Sequence, residues 1–100
     1  MGAAVVSFLS FANCLNNGIG IKPAMGWNTW NKYYCNINET IIMQNSDRLK
    51  ELGLTSLGYV YVTIDDCWQL EERDTDNKIV PDPDKFPDMQ ALGEYIHNNG

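Results

Sequence analysis

The sequence predicts an α/β fold in which strands of a parallel sheet alternate with helices. Residues 59–64 form an uncharged run of β-branched and aromatic side chains, the pattern of a strand covered on both faces. Segments with helical spacing of apolar residues follow each predicted strand, and no hairpin signal joins the strands. This order indicates two βα units. Because two units leave sheet edges unpaired, they belong to a larger sheet, either open and doubly wound or closed as a (β/α)8 barrel.

The first unit begins with an extended lead-in, followed by a short buried strand predicted at residues 24–28. After a loop, a helix is predicted from about Glu39 to Leu52, with Asn38 as its N-terminal cap and Gly53 at its end. One face of this helix is apolar and the other polar. The apolar positions are Ile41, Ile42, Leu49 and Leu52, and the outward polar positions are Gln44, Asp47, Arg48 and Lys50.

The second unit begins with the strand at 59–64. A polar turn at 73–78 and a proline-rich loop follow it, and Asp88 caps a second helix that runs to about Asn98. Met89, Leu92 and Ile96 form the core face of this helix. His97 lies near its end and is predicted to be solvated, so no nucleophilic triad is expected.

Composition excludes several classes of function. Of the 100 residues, 44% are hydrophobic and 20% are charged, as in ordinary globular proteins. The formal net charge of -6 repels phosphate backbones and anionic lipid, so we expect neither nucleic acid nor membrane as a partner. No glycine-rich turn joins a strand to a helix, which argues against a nucleotide. A neutral ligand such as a sugar fits this charge, although an acidic surface that only confers solubility fits it equally.

The N-terminus predicts entry into the secretory pathway. Residues 1–14 lack charge and contain a short apolar run, typical of a signal peptide, with a buried N-terminal strand as the alternative. Cleavage after Cys14 would leave residues 15–100 with an even number of cysteines, Cys35 and Cys67, which suits an oxidising compartment. No cysteine or histidine has a second one at zinc-ligand spacing, so no metal or other cofactor is expected. Asn38 begins a glycosylation sequon, which also favours a secreted or a lysosomal or vacuolar protein.

The candidate binding residues lie where the two strands end. Asp65 and Asp66 directly follow the second strand, and Trp27 lies at the end of the first, so all three are expected on one rim. Carboxylates accept hydrogen bonds from neighbouring sugar hydroxyls, and aromatic faces stack on pyranose rings. The sequence therefore predicts a sugar site. The alternatives are that one aspartate only caps the following turn and that the tryptophans pack in the core, which is the expectation for Trp30 and Trp68.

Several motifs resemble one family closely. They are Asn17-Gly18, Pro23, the segment from Met25 to Trp30, Cys35-Asn36, Ile64 to Trp68, Arg73-Asp74, Phe86-Pro87 and Tyr95 to His97. In this order they look like glycoside hydrolase family 27, the α-galactosidases or melibiases, over residues 15–100. The resemblance implies that the two strands are the first two of a (β/α)8 barrel, incomplete in this chain.

The resemblance also implies roles for particular residues. Trp27 would pack against a galactose ring, Asp65 and Asp66 would bind its 4- and 6-hydroxyls, and Cys35 would form a disulfide with Cys67. The nucleophile and the acid/base of the family would lie beyond Gly100, so no catalytic residue is expected within this chain and the chain alone is expected to be inactive. The implied activity is retaining hydrolysis of terminal α-linked galactose. The alternatives are an α-N-acetylgalactosaminidase of the same family and a non-catalytic sugar-binding relative.

Overall fold

A computed structural model describes residues 17–100 of the chain. The predicted signal peptide at residues 1–14 lies outside the described residues. The elements are the strands β1 (Gly26–Asn28) and β2 (Tyr61–Thr63) and the helices α1 (Trp30–Tyr33), α2 (Glu39–Glu51) and α3 (Met89–His97), with a 3-10 turn at Thr55–Leu57. The short helix α1 occupies the start of the segment predicted as a loop.

The strands β1 and β2 pair in parallel, which confirms the predicted relative orientation of the two strands. Trp27 pairs with Val62 in the register, and Gly26 with Tyr61. The predictions that β2 is covered on both faces and that β1 is buried were wrong, because the first and last residues of each strand are exposed and only the central residue is half-buried. The helices cover one face of the pair, whereas the other carries Tyr61, which is 56% exposed.

Helix α2 begins and ends almost where the sequence predicts. The Asn38 side chain accepts a hydrogen bond from the Ile41 backbone N–H at 3.0 Å, and Gly53 follows the helix with a positive φ of 71°. Leu52 was predicted to face the core but is 56% exposed, because it lies past the last turn. Asp47 is half-buried rather than outward, because it bonds to Tyr95 of α3.

The core of the described residues lies between these helices and the covered face of the sheet. Its buried hydrophobic residues are Ile37, Ile42, Phe86 and Leu92. Ile37 and Phe86 come from loops, where helical periodicity gives no signal, whereas Ile42 and Leu92 lie on the predicted helix faces. Trp27, Val62 and Ile64 pack against this cluster from the sheet side.

The segment between β2 and α3 folds back on itself. The predicted turn at 73–78 is present, with Asn77 at a φ of 61° and the Asp74 backbone N–H donating to the Lys78 carbonyl. An antiparallel bridge between Gln69 and Pro81, which the sequence did not predict, flanks this turn. The Asp88 side chain caps α3 by accepting from the Ala91 N–H at 2.9 Å, and His97 is exposed in the last turn, as predicted.

Within residues 17–100, no helix has both the length and the apolar character needed to cross a bilayer.

Candidate functional site

The site is built where β1 and β2 end. The ladder continues one residue beyond β1, since the Thr29 backbone N–H donates to the Thr63 carbonyl at 3.2 Å. The Thr29 hydroxyl then accepts from the Asp65 backbone N–H at 3.0 Å, and Thr29 is fully buried. A side-chain oxygen thus takes the place of the next backbone acceptor and fixes where Asp65 leaves the strand.

Asn28 joins the ends of the two strands through its side chain. Its Nδ2 donates to Asp65 Oδ2 at 2.7 Å, and its Oδ1 accepts from the Trp30 backbone N–H at 2.8 Å. One amide therefore contacts both the carboxylate after β2 and the start of α1.

The two carboxylates have different partners. Asp65 Oδ1 accepts from the Asp66 backbone N–H at 2.9 Å, so protein donors contact both of its oxygens. Asp66 Oδ1 accepts from the Cys67 N–H at 2.7 Å and from Gln69 Nε2 at 3.2 Å. Within residues 17–100, Oδ2 of Asp66 accepts no hydrogen bond. Each aspartate thus accepts from the backbone N–H of the next residue, whereas the alternative interpretation expected this of one aspartate only. Both side chains are also exposed enough to accept further bonds.

A constrained turn follows the aspartates. Cys67 has a positive φ of 69°, a conformation that side chains other than glycine rarely adopt. Its carbonyl accepts from Lys85 Nζ at 3.0 Å, and its sulfur is joined to Cys35 in the disulfide that the resemblance implied, with 5.2 Å between the Cα atoms. These contacts, together with the bond from its N–H to Asp66, hold the strained residue in place and attach the turn to the segment after α1.

A cleft of about 370 Å³ lies beside this turn. Its lining includes Asp66, Gln69, Lys85 and the disulfide. Gln69 uses its amide nitrogen on Asp66, whereas its Oε1 is buried and has no partner among the described residues. Among the other lining residues, Asp66 can accept hydrogen bonds and Lys85 can donate them, which suits a ligand rich in hydroxyl groups.

The three tryptophans lie in different surroundings. The Trp27 ring makes an edge contact with Tyr33, with 6.1 Å between ring centroids, and packs against the core on the helix side. Because side chains alternate along a strand, Trp27 lies on the face opposite to Asn28 and its partner Asp65. Trp68 packs against the core as expected. Trp30 does not, since it is 37% exposed, and its ring makes an edge contact with Tyr34 at 5.5 Å between centroids.

The structure therefore brings Asp65 together with Asn28 and Thr29 rather than with Trp27. Sequence reasoning missed both of these partners, although they are the two residues after Trp27 and each has the polar group that a carboxylate or an amide N–H requires. Gln69 was missed because it lies three residues past Asp66 in a turn whose shape the sequence does not reveal. No group of three or more histidine, cysteine, aspartate or glutamate side chains suited to a metal ion occurs in the described part of the chain.

Comparisons with known proteins identify relatives over most of the chain. A melibiase family model, described as alpha galactosidase A, matches residues 22–100. Alpha-galactosidase 3 of Arabidopsis thaliana is 48% identical over 87 residues, which are 86% of this chain and 20% of the relative. Alpha-N-acetylgalactosaminidase of Gallus gallus is 40% identical over 97 residues, and the match spans 86% of this chain and 24% of the relative.

Solved structures agree with these relatives. Alpha-galactosidase I from Mortierella vinacea superposes with a TM-score of 0.80 at 49% identity, over 86% of this chain and 22% of that one. The α-galactosidase from Saccharomyces cerevisiae, solved with raffinose, gives a TM-score of 0.77 at 42% identity, over 83% of this chain and 18% of that one. The chain thus spans about a fifth of the length of these proteins. Since the family model matches 79 consecutive residues, 22–100, the chain belongs to the melibiase family that is described as alpha galactosidase A.

Proposed function

We propose that the protein of which this chain is the N-terminal part is a retaining α-galactosidase, and that the chain supplies part of its galactose-binding pocket. The observation that carries the proposal is the Asp65–Asp66 pair at the carboxyl end of β2, in which Asp65 accepts a hydrogen bond from Asn28 at the same end of β1. In (β/α)8 enzymes, active sites lie at the carboxyl ends of the strands. The names of the relatives, most of them α-galactosidases, support the same activity.

The role proposed for the aspartates is recognition of galactose hydroxyls. A carboxylate that accepts from the axial 4-hydroxyl is left without this donor when the hydroxyl is equatorial, as in glucose. A lost charge-assisted hydrogen bond of this kind costs roughly 1.5–3 kcal/mol. Discrimination between galactose and glucose would therefore reside largely in Asp65 and Asp66.

Bond cleavage requires two further carboxylates, one to attack the anomeric carbon and one to protonate the leaving oxygen, separated by roughly 5–5.5 Å for retention. We propose that both lie beyond Gly100. We further infer that β1, β2 and their helices are the first two units of a (β/α)8 barrel, which the parallel pairing and the single covered face support.

The test is hydrolysis of α-galactosides, including raffinose, by the full-length protein, with NMR to identify the anomer released first. We expect α-galactose. Changing Asp65 or Asp66 to Ala should lower kcat/KM by about tenfold to more than a hundredfold. Asn at either position should act more gently, since it keeps the shape and one acceptor. Parental kcat/KM and parental preference over α-glucosides in both Ala variants would show that the pair only caps the turn.

The contacts of Trp27 and Trp30 bear on which of them forms the aromatic wall of the pocket. The prediction that Trp27 stacks on the sugar remains a prediction, and its packing on Tyr33 weighs against it. Trp30 is more exposed, and its backbone N–H donates to the side-chain amide of Asn28, which also binds Asp65. Its position therefore favours Trp30 as the aromatic contact.

Two other activities remain as candidates. The relative from Gallus gallus favours an α-N-acetylgalactosaminidase, and faster hydrolysis of α-N-acetylgalactosaminides than of α-galactosides would establish it. A non-catalytic sugar-binding relative would bind galactose without turnover, and its sequence beyond Gly100 would lack the two carboxylates.

We also propose that the protein enters the secretory pathway and is secreted or delivered to a lysosome or vacuole. The disulfide between Cys35 and Cys67 supports an oxidising compartment.

Asn38 is exposed and uses its Oδ1 for the helix cap, which leaves Nδ2 for attachment of a glycan. A glycan on Asn38 and a mature N-terminus near Leu15, both measurable by mass spectrometry of the expressed protein, are the expected results, whereas a chain that retains Met1 would contradict the signal peptide.

A further inference from the structure

We infer that Asn28 is a positioning residue that fixes the carboxylate of Asp65 and sets its place relative to Trp30. The inference rests on the proposed function, since it concerns the same sugar pocket. It adds a specific cause for the orientation of Asp65, which neither the sequence motif nor the parallel pairing of the strands supplies.

The geometry of Asn28 links three segments through one rigid group. Its Nδ2 lies 2.7 Å from Asp65 Oδ2, and its Oδ1 lies 2.8 Å from the Trp30 backbone nitrogen. Asp65 and Asn28 are 37 residues apart in the chain, and only the parallel register brings them to the same edge. Because the amide is planar, its donor and its acceptor cannot move independently of each other.

The partners also determine which way the amide points. The Trp30 N–H needs an acceptor and the Asp65 carboxylate needs a donor, so the flipped amide would oppose like groups on both sides. Only an amide of this length supplies both atoms. Asp would keep the acceptor for Trp30 but remove the donor, whereas Ser would have one hydroxyl on a shorter side chain.

The bond from Asn28 has a direct consequence for ligand binding. With Asn28 Nδ2 on Oδ2 and the Asp66 N–H on Oδ1, the Asp65 carboxylate is held on both oxygens and cannot rotate freely. A carboxylate accepts about four hydrogen bonds, so about two positions remain in fixed directions for sugar hydroxyls. Asn28 thereby orders the group before the ligand arrives.

The decisive variant is Asn28→Asp in the full-length protein. It keeps the contact with Trp30 but places a carboxylate against Asp65, and two carboxylates at this distance repel unless they share a proton. We expect kcat/KM for an α-galactoside to fall about tenfold to a hundredfold near neutral pH. The loss, taken as the ratio to the parent at each pH, should shrink as the pH falls from about 7 to about 4, because a shared proton restores a donor between the carboxyls.

Other titratable groups near Asp65 do not account for a recovery of kcat/KM at low pH. Asp66 follows Asp65, Tyr61 lies on the same face of β2, and Lys85 bonds to the Cys67 carbonyl, but all three are present in the parent as well. Because the loss is the ratio of kcat/KM to that of the parent at the same pH, the titration of these three groups cancels. Serine is neutral, so Asn28→Ser should lower kcat/KM by a similar factor at every pH. If the Asn28→Asp protein does not fold, Asn28→Ser still tests the inference.

Asn45→Asp is the matched control. Asn45 donates to Tyr33 and to the Ile41 carbonyl on α2, away from the strand ends. This variant should lower the melting temperature without producing a pH-dependent loss of kcat/KM. A loss in Asn28→Asp that is absent or equal at every pH would overturn the inference, as would parental kcat/KM in Asn28→Ser.

A measurement without turnover separates this inference from the proposed function. In a crystal structure of the Asn28→Ser protein, we expect the Asp65 carboxylate to rotate away from its parental direction. An unchanged Asp65 would overturn the positioning role even if the parent is an α-galactosidase. A rotated Asp65 in a protein that hydrolyses no α-galactoside would support the positioning role and refute the function.

Discussion

At the scale of single residues, the two adjacent aspartates are not equivalent. Protein donors contact both oxygens of Asp65, whereas Oδ2 of Asp66 accepts no bond from the described residues. Asp65 is therefore fixed by the ends of both strands, and Asp66 by the turn that Cys67 and Gln69 form. Asp66 has the larger remaining capacity to accept hydrogen bonds, and it lines the cleft beside the disulfide.

The neighbouring tryptophans should respond differently to truncation. Trp30→Ala should lower kcat/KM for α-galactosides while the melting temperature changes little, because its ring is partly exposed at the site. Trp27→Ala should chiefly destabilise the fold, by about 2–4 kcal/mol, because it removes an aromatic ring packed against the core. Kinetics and chemical unfolding of both full-length variants distinguish the two effects. The reverse pattern would support the original assignment of Trp27 to the sugar.

Gly26 lies where the backbone of β2 leaves no room for a side chain. A Cβ there would clash with the Tyr61 carbonyl oxygen, which is backbone and cannot move unless the strands separate. Gly26→Ala should therefore destabilise the full-length protein by about 1–3 kcal/mol or more. Gly93 in α3 is the control, since a Cβ there meets nothing within 4 Å and Ala should stabilise the helix by roughly 0.5–1 kcal/mol. Equal unfolding midpoints for Gly26→Ala and the parent would contradict this account of the strand contact.

At the scale of elements, polar groups join α2 and α3. The Tyr95 hydroxyl donates to Asp47, with 2.8 and 2.9 Å to its two carboxylate oxygens. Asn99, just beyond α3, donates through Nδ2 to Asp47 and to the buried Ser46. These bonds explain why a polar position predicted to face solvent lies between the helices.

The Tyr95–Asp47 contact predicts a pH dependence of stability. The hydrogen bond to Asp47 raises the pKa of Tyr95, with smaller contributions from desolvation and from the negative charge of Asp47. Because the folded pKa exceeds the unfolded value of about 10, the contribution to stability is present below that pH and is lost as the pH rises through the folded pKa. Tyr95→Phe should thus lower the melting temperature at neutral pH, and the difference from the parent should vanish at high alkaline pH. Tyr34→Phe, at an exposed ring, should show no difference, and a pH-independent effect of Tyr95→Phe would contradict the pairing.

The elements also show what the sequence can predict. Helices α2 and α3 were placed to within about a residue, because their limits depend on local groups such as the caps Asn38 and Asp88. The coverage of the strands was not predictable, since a β-branched run has the same pattern whichever elements lie above it. The Asn28–Asp65 bond depends on the register between segments 37 residues apart. Alternation along β1 does separate Trp27 from Asn28, but only the register shows that Asn28 lies on the side of Asp65.

At the scale of the whole molecule, the sheet has one face that is covered and one that no other described residue covers. The second is called the open face. Within residues 17–100, Met25, Leu57, Val60 and Tyr61 are large apolar side chains that are all exposed. They lie in or next to the strands and the turn before β2. A pair of three-residue strands with this much exposed apolar surface resembles an interior from which neighbouring elements are missing.

The 100-residue chain expressed alone should therefore neither melt cooperatively nor hydrolyse α-galactosides. The described core has four buried hydrophobic side chains, which is little apolar burial to offset an entropic cost of about 1–2 kcal/mol for each ordered backbone residue. The disulfide limits the unfolded chain, and closing a loop with a sequence separation of 32 contributes about 3–4 kcal/mol in the chain-entropy model, but it adds no cover to the open face. Far-ultraviolet circular dichroism during heating should show a broad, shallow change, and a chromogenic α-galactoside should give no turnover above that of a Cys35→Ser, Cys67→Ser double variant. A sharp transition would show that the open face needs no further strands, and turnover by the pure chain would show that the carboxylates that cleave the bond lie within residues 1–100.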